Sequence, residues 1–351
     1  MLKRSDEEED KAKGAPQGKL TLGVATPEDA YQITRLAYYT YRYSYAKKTF
    51  YYPELLREEL ARQQIISLIV KNEKGEVVTH SAFFRSYECQ NIAESGALMA
   101  MPEYRRSTAA MRLAKGAVSF LRSDRNPGIE IVGSNLVTAH TGSQRICRSL
   151  KFIPMAFKIS VHERAQFIDI EGVNSDRETL VYSILPVKIP EKFVAYPPEK
   201  HREIISEIFD TAGFEYELAD ADEKISLGEK SKFMIQRNEE TNFARIVVLE
   251  IGKDLFSELK KISYQLSLEN MLTVALRIPM WEKLPKDIDR KLNKMSFFFS
   301  GVLPSTTTKW QALYTCLKNH QINFENIEVS QELAAKLKDY VEDCYQKVIP
   351  S

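Results

Sequence analysis

The chain has 351 residues, of which 44% are hydrophobic and 28% charged, so it holds enough apolar side chains for a sizeable core. Single cores rarely grow beyond about 250–300 residues, and the length therefore favours two domains. The 49 basic and 48 acidic residues leave a formal charge of +1. Because no long-range field attracts polyanions, the sequence predicts no nucleic-acid partner and no membrane partner.

The four cysteines lie far apart and form no CxxC pair. The sequence therefore predicts no zinc or other metal site and no disulfide framework. Free thiols are typical of a reducing compartment. The first residues lack the apolar core of a secretory signal, and no later run approaches the ~20 apolar residues that span a bilayer. We expect a cytoplasmic protein with a flexible leader over residues 1–18.

After the leader, helical and strand patterns alternate. Thr26-Pro27-Glu28-Asp29 is typical of a helix N-terminus, with a capping residue and a proline in the first turn. Asn72-Glu73-Lys74-Gly75 lies between two apolar runs and predicts a hairpin. The predicted elements of the first half are strand 19–25, helices 30–43 and 52–64, strands 65–71, 77–86 and 92–101, a helix within 101–123, strand 129–137, helix 141–150, and strands 152–161 and 178–187.

Four prolines between positions 186 and 198 mark a boundary, and a similar order of elements recurs weakly beyond it. The predicted elements there are helix 198–212, strands 232–238 and 244–251, helix 255–268, strand 272–278, helix 286–295 and strand 296–303. The sequence thus predicts two domains, over residues 19–187 and 188–351, of the α/β or α+β class. Each would be a mixed, mostly antiparallel twisted sheet flanked by helices.

The most informative stretch runs from Glu94 to Leu113. A strand ends at Pro102, a turn holds two arginines and several small residues, and an amphipathic helix begins. Exposed amide groups converge at the positive end of such a helix, and this geometry suits a phosphate group. The alternative interpretation is a solvated helix start, in which Arg105 and Arg106 face water and the small residues allow tight packing.

This stretch resembles the GNAT family of N-acetyltransferases, whose motif reads R/Q-x-x-G-x-G/A. Arg105 stands at its first position, Thr108 at its first glycine and Ala110 at its last small position. The resemblance implies that backbone amides in this turn hold the pyrophosphate of coenzyme A, and that the preceding strand pairs with the pantetheine arm. The cofactor-binding residues implied in this way are Leu98, Met99, Met101, Arg105, Arg106, Ser107, Thr108, Ala109 and Ala110.

Thr108 departs from the family pattern. A glycine lets the backbone come close to a ligand, whereas Thr108 carries a β-branched side chain at that position. Its hydroxyl group is able to donate a hydrogen bond to a phosphate oxygen, and its bulk is able to narrow the cleft. The residue type alone leaves both alternatives open.

A second family pattern, N-x-x-A-x-x-x-Y-x-x-x-G-F, resembles the segment that ends at Phe152. His140 stands where the Asn is usual, and Cys147 where the family often has a Tyr that protonates the leaving thiolate of coenzyme A. The resemblance makes Cys147 a candidate general acid, against the alternative of a buried small hydrophobic residue. His140 is a candidate for substrate binding or proton transfer, or a structural histidine before a helix.

Glu94 is the candidate general base. Attack of an amine on a thioester requires the loss of a proton, and the resemblance puts a family glutamate near this point of the strand. The alternative is a solvent-facing strand residue. Five tyrosines between Tyr38 and Tyr45 lie where the family has its acceptor channel, although packing alone also explains such a run.

The second half would be a degenerate GNAT-like copy. Its turn would lie at residues 251–255, where no R-x-x-G-x-G/A string occurs. Asp254 stands at the helix N-cap there, and we expect it to satisfy the free amides and repel a pyrophosphate.

The resemblance implies an N-acyltransferase that moves an acetyl or short acyl group from acetyl-CoA to an amine by direct attack in a ternary complex. The acceptor would be a small molecule, a peptide or a protein, and the chain a monomer with an internal pseudo-dimer or a homodimer. The alternative is a non-catalytic module that senses acyl-CoA or binds a protein. Thr108 and the missing Tyr favour the alternative, whereas the rest of the motif favours the enzyme.

Overall fold

The computed structural model describes residues 18–43, 45, 47–104, 109–163, 177–220 and 227–349. The chain divides into two compact units, Met1–Val132 and Gly133–Ser351. This division falls elsewhere than the predicted domain boundary after Val187, which stays a prediction. Both units have a mostly antiparallel sheet flanked by helices, so the predicted fold class is confirmed.

The first unit contains four antiparallel strands in the order β1-β2-β3-β4. These are β1 (Thr21–Val24), β2 (Ile65–Lys71), β3 (Val77–Arg85) and β4 (Ile92–Ala100). The helices are α1 (Ala30–Tyr41), α2 (Pro53–Ala61) and α3 (Ala109–Leu121). Strand β5 (Ile131–Val137) begins in this unit and continues into the second.

Local signals account for two of these boundaries. The Thr26 amide donates to Asp29 Oδ2 at 3.0 Å, which fixes the turn before α1 as the capping pattern predicts. Gly75 has a φ of +77° in the β2–β3 hairpin, and its amide donates to Asn72 O at 3.0 Å. Glycine adopts this left-handed conformation without steric cost.

One apolar face of α1 builds the core of the first unit. Ile33, Leu36 and Ala37 recur at helical spacing and are fully buried, together with Phe50 and Leu56. Burying a side chain of this size contributes roughly 1.5–3 kcal/mol. This packing holds the segment between α1 and α2 against β3 and β4, where the candidate site lies.

In the second unit the strands follow the order β5-β7-β6-β13-β14-β12-β11-β10. Their ranges are β6 (Ile153–Glu163), β7 (Arg177–Pro186), β10 (Lys232–Asn238), β11 (Phe243–Glu250), β12 (Thr273–Pro279), β13 (Phe298–Pro304) and β14 (Trp310–Leu317). A separate parallel pair is formed by β8 (Phe193–Ala195) and β9 (Tyr216–Leu218). The helices are α4 (Gly142–Ser149), α5 (Arg202–Thr211), α6 (Leu255–Leu268), α7 (Ile288–Asn293) and α8 (Glu332–Gln346).

The same arrangement of three strands and one short helix occurs twice in the second unit. Strand β7 lies between β5 and β6, and β14 lies between β12 and β13, with a short helix, α4 or α7, inside each connection. The two sets meet where β6 pairs with β13 at Ala156 and Gly301. Gly301 has a φ of +127°, and a Cβ there would lie 2.3 Å from Ala156 Cα, so only glycine fits.

Among the described residues, no helix combines the length and the apolar character that a bilayer crossing requires. The same part of the chain contains no group of three or more His, Cys, Asp or Glu side chains arranged to hold a metal ion.

Candidate active site

Strand β4 carries the candidate residues of the first unit. Glu94 is half-buried, Leu98 is 47% exposed and Met99 is 1% exposed. Met101 follows the strand, and its amide donates to Val78 O at 2.9 Å. Leu98 is therefore the member of this set that offers an apolar side chain to a ligand.

A β-bulge interrupts β4 at Ala97 and Leu98. His80 pairs with Met99 and Ala82 with Gly96, so two residues of β4 stand opposite Ser81 alone. Ala97 has a φ of +50°, a left-handed conformation that non-glycine residues rarely adopt. A bulge bends the strand and leaves ladder groups unpaired, and it is often found beside functional sites.

Side chains satisfy the carbonyl groups of this bulge. Three consecutive carbonyls accept hydrogen bonds: Gly96 O from Ser81 Oγ at 3.4 Å, Ala97 O from His80 Nδ1 at 2.8 Å, and Leu98 O from Tyr41 Oη at 3.1 Å. The strained conformation is thus held by contacts from α1 and β3. Such over-determination is what keeps a sparsely populated backbone conformation in place.

His80 is the most enclosed of these partners. It is fully buried, and its Nε2 lies 2.9 Å from Ser67 Oγ. Since Ala97 O only accepts, Nδ1 must carry the proton, and the neutral ring then accepts at Nε2 from the Ser67 hydroxyl. Burial lowers the pKa of His80 to about 4, although the Ala97 carbonyl opposes this effect.

Glu94 lies beside an aromatic ring and an ammonium group. Phe84 stands directly opposite it in the β3–β4 ladder, on the same face of the sheet. The Lys47 Nζ atom lies 3.6 Å from the centroid of the Phe84 ring. Burial lowers the pKa of Lys47, and the Glu94 carboxylate raises it in part.

Two of the five clustered tyrosines face the bulge. Tyr45 stacks on Tyr41 at a centroid distance of 4.8 Å. Burial raises the pKa of Tyr45, whereas a hydrogen bond from the Ala97 amide lowers it. Tyr38, Tyr39 and Tyr43 are 38%, 42% and 78% exposed.

The predicted phosphate-binding turn is described only at its ends. Arg105, Arg106, Ser107 and Thr108 lie outside the described residues. Before them, the Tyr104 amide donates to Met101 O at 2.9 Å. After them, Ala109 is fully buried as the first residue of α3, and Ala110 follows it in the helix.

Cys147 and His140 belong to the second unit, whereas Glu94 belongs to the first. Burial raises the pKa of the Cys147 thiol to about 11, although a hydrogen bond from Ser134 opposes this effect. A thiol with so high a pKa gives up its proton reluctantly at neutral pH, which does not favour a general acid. His140 Nδ1 accepts from the Gly142 amide at 3.3 Å before α4.

The turn before α6 in the second unit is closed by its own chain. Gly252 N donates to Ser231 Oγ at 2.8 Å, and a Cβ at Gly252 would lie 2.4 Å from the Lys230 carbonyl carbon. Asp254 stands at the N-cap, as the sequence predicts. Its Oδ1, however, accepts from Ser231 N at 2.7 Å and makes no capping bond to the helix.

A strand that carries a carboxylate and is followed by a helix is the arrangement predicted from the GNAT motif, whereas the bulge of the strand is not part of that prediction. Solved structures similar to the chain over about half of its length are acetyltransferases, and one of them is described as a putative acetyltransferase of the GNAT family. A tandem arrangement is not confirmed. No protein-family model and no curated protein sequence matches the chain.

Three of these structures are compared with the chain by sequence identity, TM-score and the share of each chain that is covered. An N-acetyltransferase from Staphylococcus aureus Mu50 is 14% identical, with a TM-score of 0.39 over 48% of this chain and 99% of its own. The ribosomal-protein-S18-alanine N-acetyltransferase from Escherichia coli is 12% identical, with a TM-score of 0.38 over 49% and 97%. The protein yncA from Salmonella typhimurium, described as a putative acetyltransferase with its cofactor acetyl-CoA, is 16% identical, with a TM-score of 0.38 over 49% of this chain and 96% of its own.

Proposed function

We propose that the chain is an N-acyltransferase that moves an acetyl or short acyl group from acyl-CoA to an amine by direct attack in a ternary complex. The observation that carries this proposal is the bulge of β4 with Glu94 on the same strand. The bulge turns ladder groups away from β3, and side chains from α1 and β3 hold it in that conformation. Because the Ala97 amide of the bulge already donates to Tyr45, the proposal depends on Glu94 as a positioned proton acceptor.

The surroundings of Glu94 support an amine acceptor. The face of Phe84 already holds one ammonium group, that of Lys47, within the field of the Glu94 carboxylate. Aromatic faces and carboxylates both stabilise a cation. Glu94, directly or through a water molecule, would take up the proton that the attacking amine loses.

Part of the coenzyme A site can be tested against the described residues. Leu98 presents a 47% exposed side chain at the bulge, which fits contact with an apolar pantetheine arm. Met101 and the fully buried Ala109 flank the turn that would bind the pyrophosphate, with Arg105 as its cationic residue. Acetyl-CoA would be a co-substrate in this site and would supply the thioester.

Binding and turnover test the proposal separately. Thermal unfolding would be followed with acetyl-CoA, with coenzyme A and with ATP as the control nucleotide, and thiol release would then be measured over a panel of amines. We expect both coenzymes to raise the unfolding temperature and at least one amine to release thiol. An unfolding temperature that neither coenzyme changes would contradict the proposal.

The second candidate function is a non-catalytic module that senses acyl-CoA. The raised pKa of Cys147 favours it, because the thiol is then a weak proton donor for the leaving thiolate. Binding of acetyl-CoA without thiol release from any amine is the outcome that this candidate requires. Arg105→Glu should abolish binding under both candidates, since it would put a negative charge beside the pyrophosphate.

A further inference from the structure

Lys47 lies in the segment between α1 and α2, next to the exposed residue Lys48. The two lysines are adjacent in the sequence but differ in burial: Lys47 is half-buried, whereas Lys48 is exposed. The Lys47 Nζ atom lies 3.6 Å from the centroid of the Phe84 ring. This segment is anchored by Phe50, which is fully buried in the core of the first unit.

The Phe84 ring connects the Lys47 ammonium to the bulge. Phe84 Cε2 would lie 3.1 Å from a Cβ at Gly96, the residue that precedes Ala97. Glu94 and Gly96 are two residues apart and therefore point to the same face of β4. Gly96 has no side chain, and the Phe84 ring and the Tyr45 hydroxyl group, which would lie 3.8 Å from a Cβ there, occupy the space beside it.

The Lys47 amine thus has the surroundings that the proposed reaction requires of an acceptor. A carboxylate acts on it, and an aromatic face orients it. Partial burial lowers the pKa of Lys47, which increases the fraction of neutral amine at a given pH. An acceptor held in place also avoids the entropic cost of a bimolecular encounter.

We infer that Lys47 is an internal acceptor, and that the chain acetylates its own Lys47 when acetyl-CoA binds at β4. The inference rests on the proposed function. Glu94 takes one proton from the ammonium, and the nitrogen lone pair attacks the thioester carbonyl carbon. The N–C bond forms, the C–S bond breaks, and the thiolate of coenzyme A takes up the second proton. No redox change occurs, and the net reaction releases coenzyme A and one proton.

Acetylation would alter the site that performs it. The acetyl group removes the positive charge of Lys47, and with it the cation–π contact to Phe84 and the attraction to Glu94. An external amine would then bind beside the Glu94 carboxylate without competition from the Lys47 ammonium group. The modification would therefore regulate access of the acceptor.

The test is intact-mass spectrometry of the full chain with acetyl-CoA, followed by peptide mapping. We expect one acetyl group on Lys47, with a first-order rate that does not depend on protein concentration. Lys47→Arg should abolish it, and the matched variant Lys48→Arg should leave its rate unchanged. Glu94→Gln should slow it about 100-fold or more, since it removes the proton acceptor.

Thermal unfolding with acetyl-CoA, run in parallel, separates the two proposals. Protein that binds acetyl-CoA but stays unmodified at Lys47 would overturn the inference and leave the proposed function standing. Protein that does not bind it would overturn both. Equal acetylation of Lys47 and Lys48, or the same rate in the urea-unfolded chain, would identify ordinary chemical acetylation and also overturn the inference.

Discussion

Two strand–turn–helix segments of this chain have the same order of elements but differ in which part of the segment the neighbouring residues contact. In the first unit, β4 runs through a bulge into α3, and side chains hold the bulge in a left-handed conformation at Ala97. In the second unit, β11 runs into α6 through Gly252, which has backbone atoms of Lys230 and Ser231 packed against it. In the first segment, side-chain hydrogen bonds stabilise the bulge of the strand, whereas in the second segment neighbouring residues pack against the turn and close it.

This difference shows that the same order of strand, turn and helix does not imply the same kind of site. A phosphate group needs free backbone donors at the start of a helix. In the second unit the Gly252 amide already donates to Ser231 Oγ, and the Lys253 amide to Gly228 O at 2.9 Å. Under our proposal, acyl-CoA therefore binds at the first segment only.

The substitution Glu94→Gln tests whether the reaction takes place at β4. The carboxamide keeps the size of the side chain but accepts no proton, so we expect the rate of thiol release to fall about 100-fold to 10,000-fold. The KM for acetyl-CoA should stay unchanged. The control is Glu88→Gln in the exposed β3–β4 connection, which should retain the full rate. If Glu94→Gln released thiol at the wild-type rate, the reaction would not take place at β4.

His80, which holds the bulge, should make the free energy of unfolding depend on pH. As pH falls through 6.5, the unfolded His80 takes up a proton, but the buried ring stays neutral down to a pKa of about 4. The free energy of unfolding should therefore fall by about 3 kcal/mol between pH 7 and pH 4 on account of this residue. Urea unfolding at both pH values would measure the difference.

The matched variants are His80→Gln, which does not titrate, and His162→Gln, at a histidine near the end of β6. We expect the pH dependence to become weaker in the first and to persist in the second. An identical pH dependence in all three proteins would mean that His80 is not held neutral at the bulge.

Gly252→Ala tests whether the second turn is closed by packing. A Cβ there would lie 2.4 Å from the Lys230 carbonyl carbon and 2.6 Å from Ser231 N, so the backbone has to move. We expect a loss of about 1–3 kcal/mol in the free energy of unfolding and an unchanged KM for acetyl-CoA. Gly228→Ala is the control, because nothing lies within 4 Å of its added Cβ. A raised KM for acetyl-CoA in Gly252→Ala would assign the coenzyme to the second segment.

The smallest expected effect belongs to Asp254. Its carboxylate accepts from the Ser231 amide at 2.7 Å, so Asp254→Ala removes one partly buried hydrogen bond. We expect a loss of about 1 kcal/mol in chemical unfolding. Glu258→Ala, on the same helix but outside this turn, should change the free energy less. Equal stability of Asp254→Ala and wild type would show that the turn does not depend on this carboxylate.

Elements with strong periodicity could be predicted closely from the sequence. The predicted ranges 65–71, 232–238 and 255–268 coincide with β2, β10 and α6. The ends of α1 and α2 fall two or three residues short of the prediction, because the backbone takes a positive φ at Arg42 (+52°) and Gln63 (+54°), which ends each helix. Strand β14 and helix α8 lie beyond the last predicted element, which ends at residue 303.

The candidate site could be predicted only in its strand and helix. A motif marks β4 and α3, but a β-bulge comes from the register of two strands, and register is a tertiary property. The contact between His80 and Ala97 spans 17 residues, and Lys47 meets Phe84 across 37. The one local signal for His80 was its position as a polar residue within an apolar strand.

The junction of β6 and β13 has a consequence for any attempt to study the halves separately. Gly301 lets the two strands approach, and helix α8 packs against both of them. A fragment that stops at Val187 would keep β6 and its neighbour β7 but lose β13 and helix α8, which would leave one edge of β6 unpaired. Such edges recruit other chains, and the fragment should self-associate in size-exclusion chromatography where the full chain does so less.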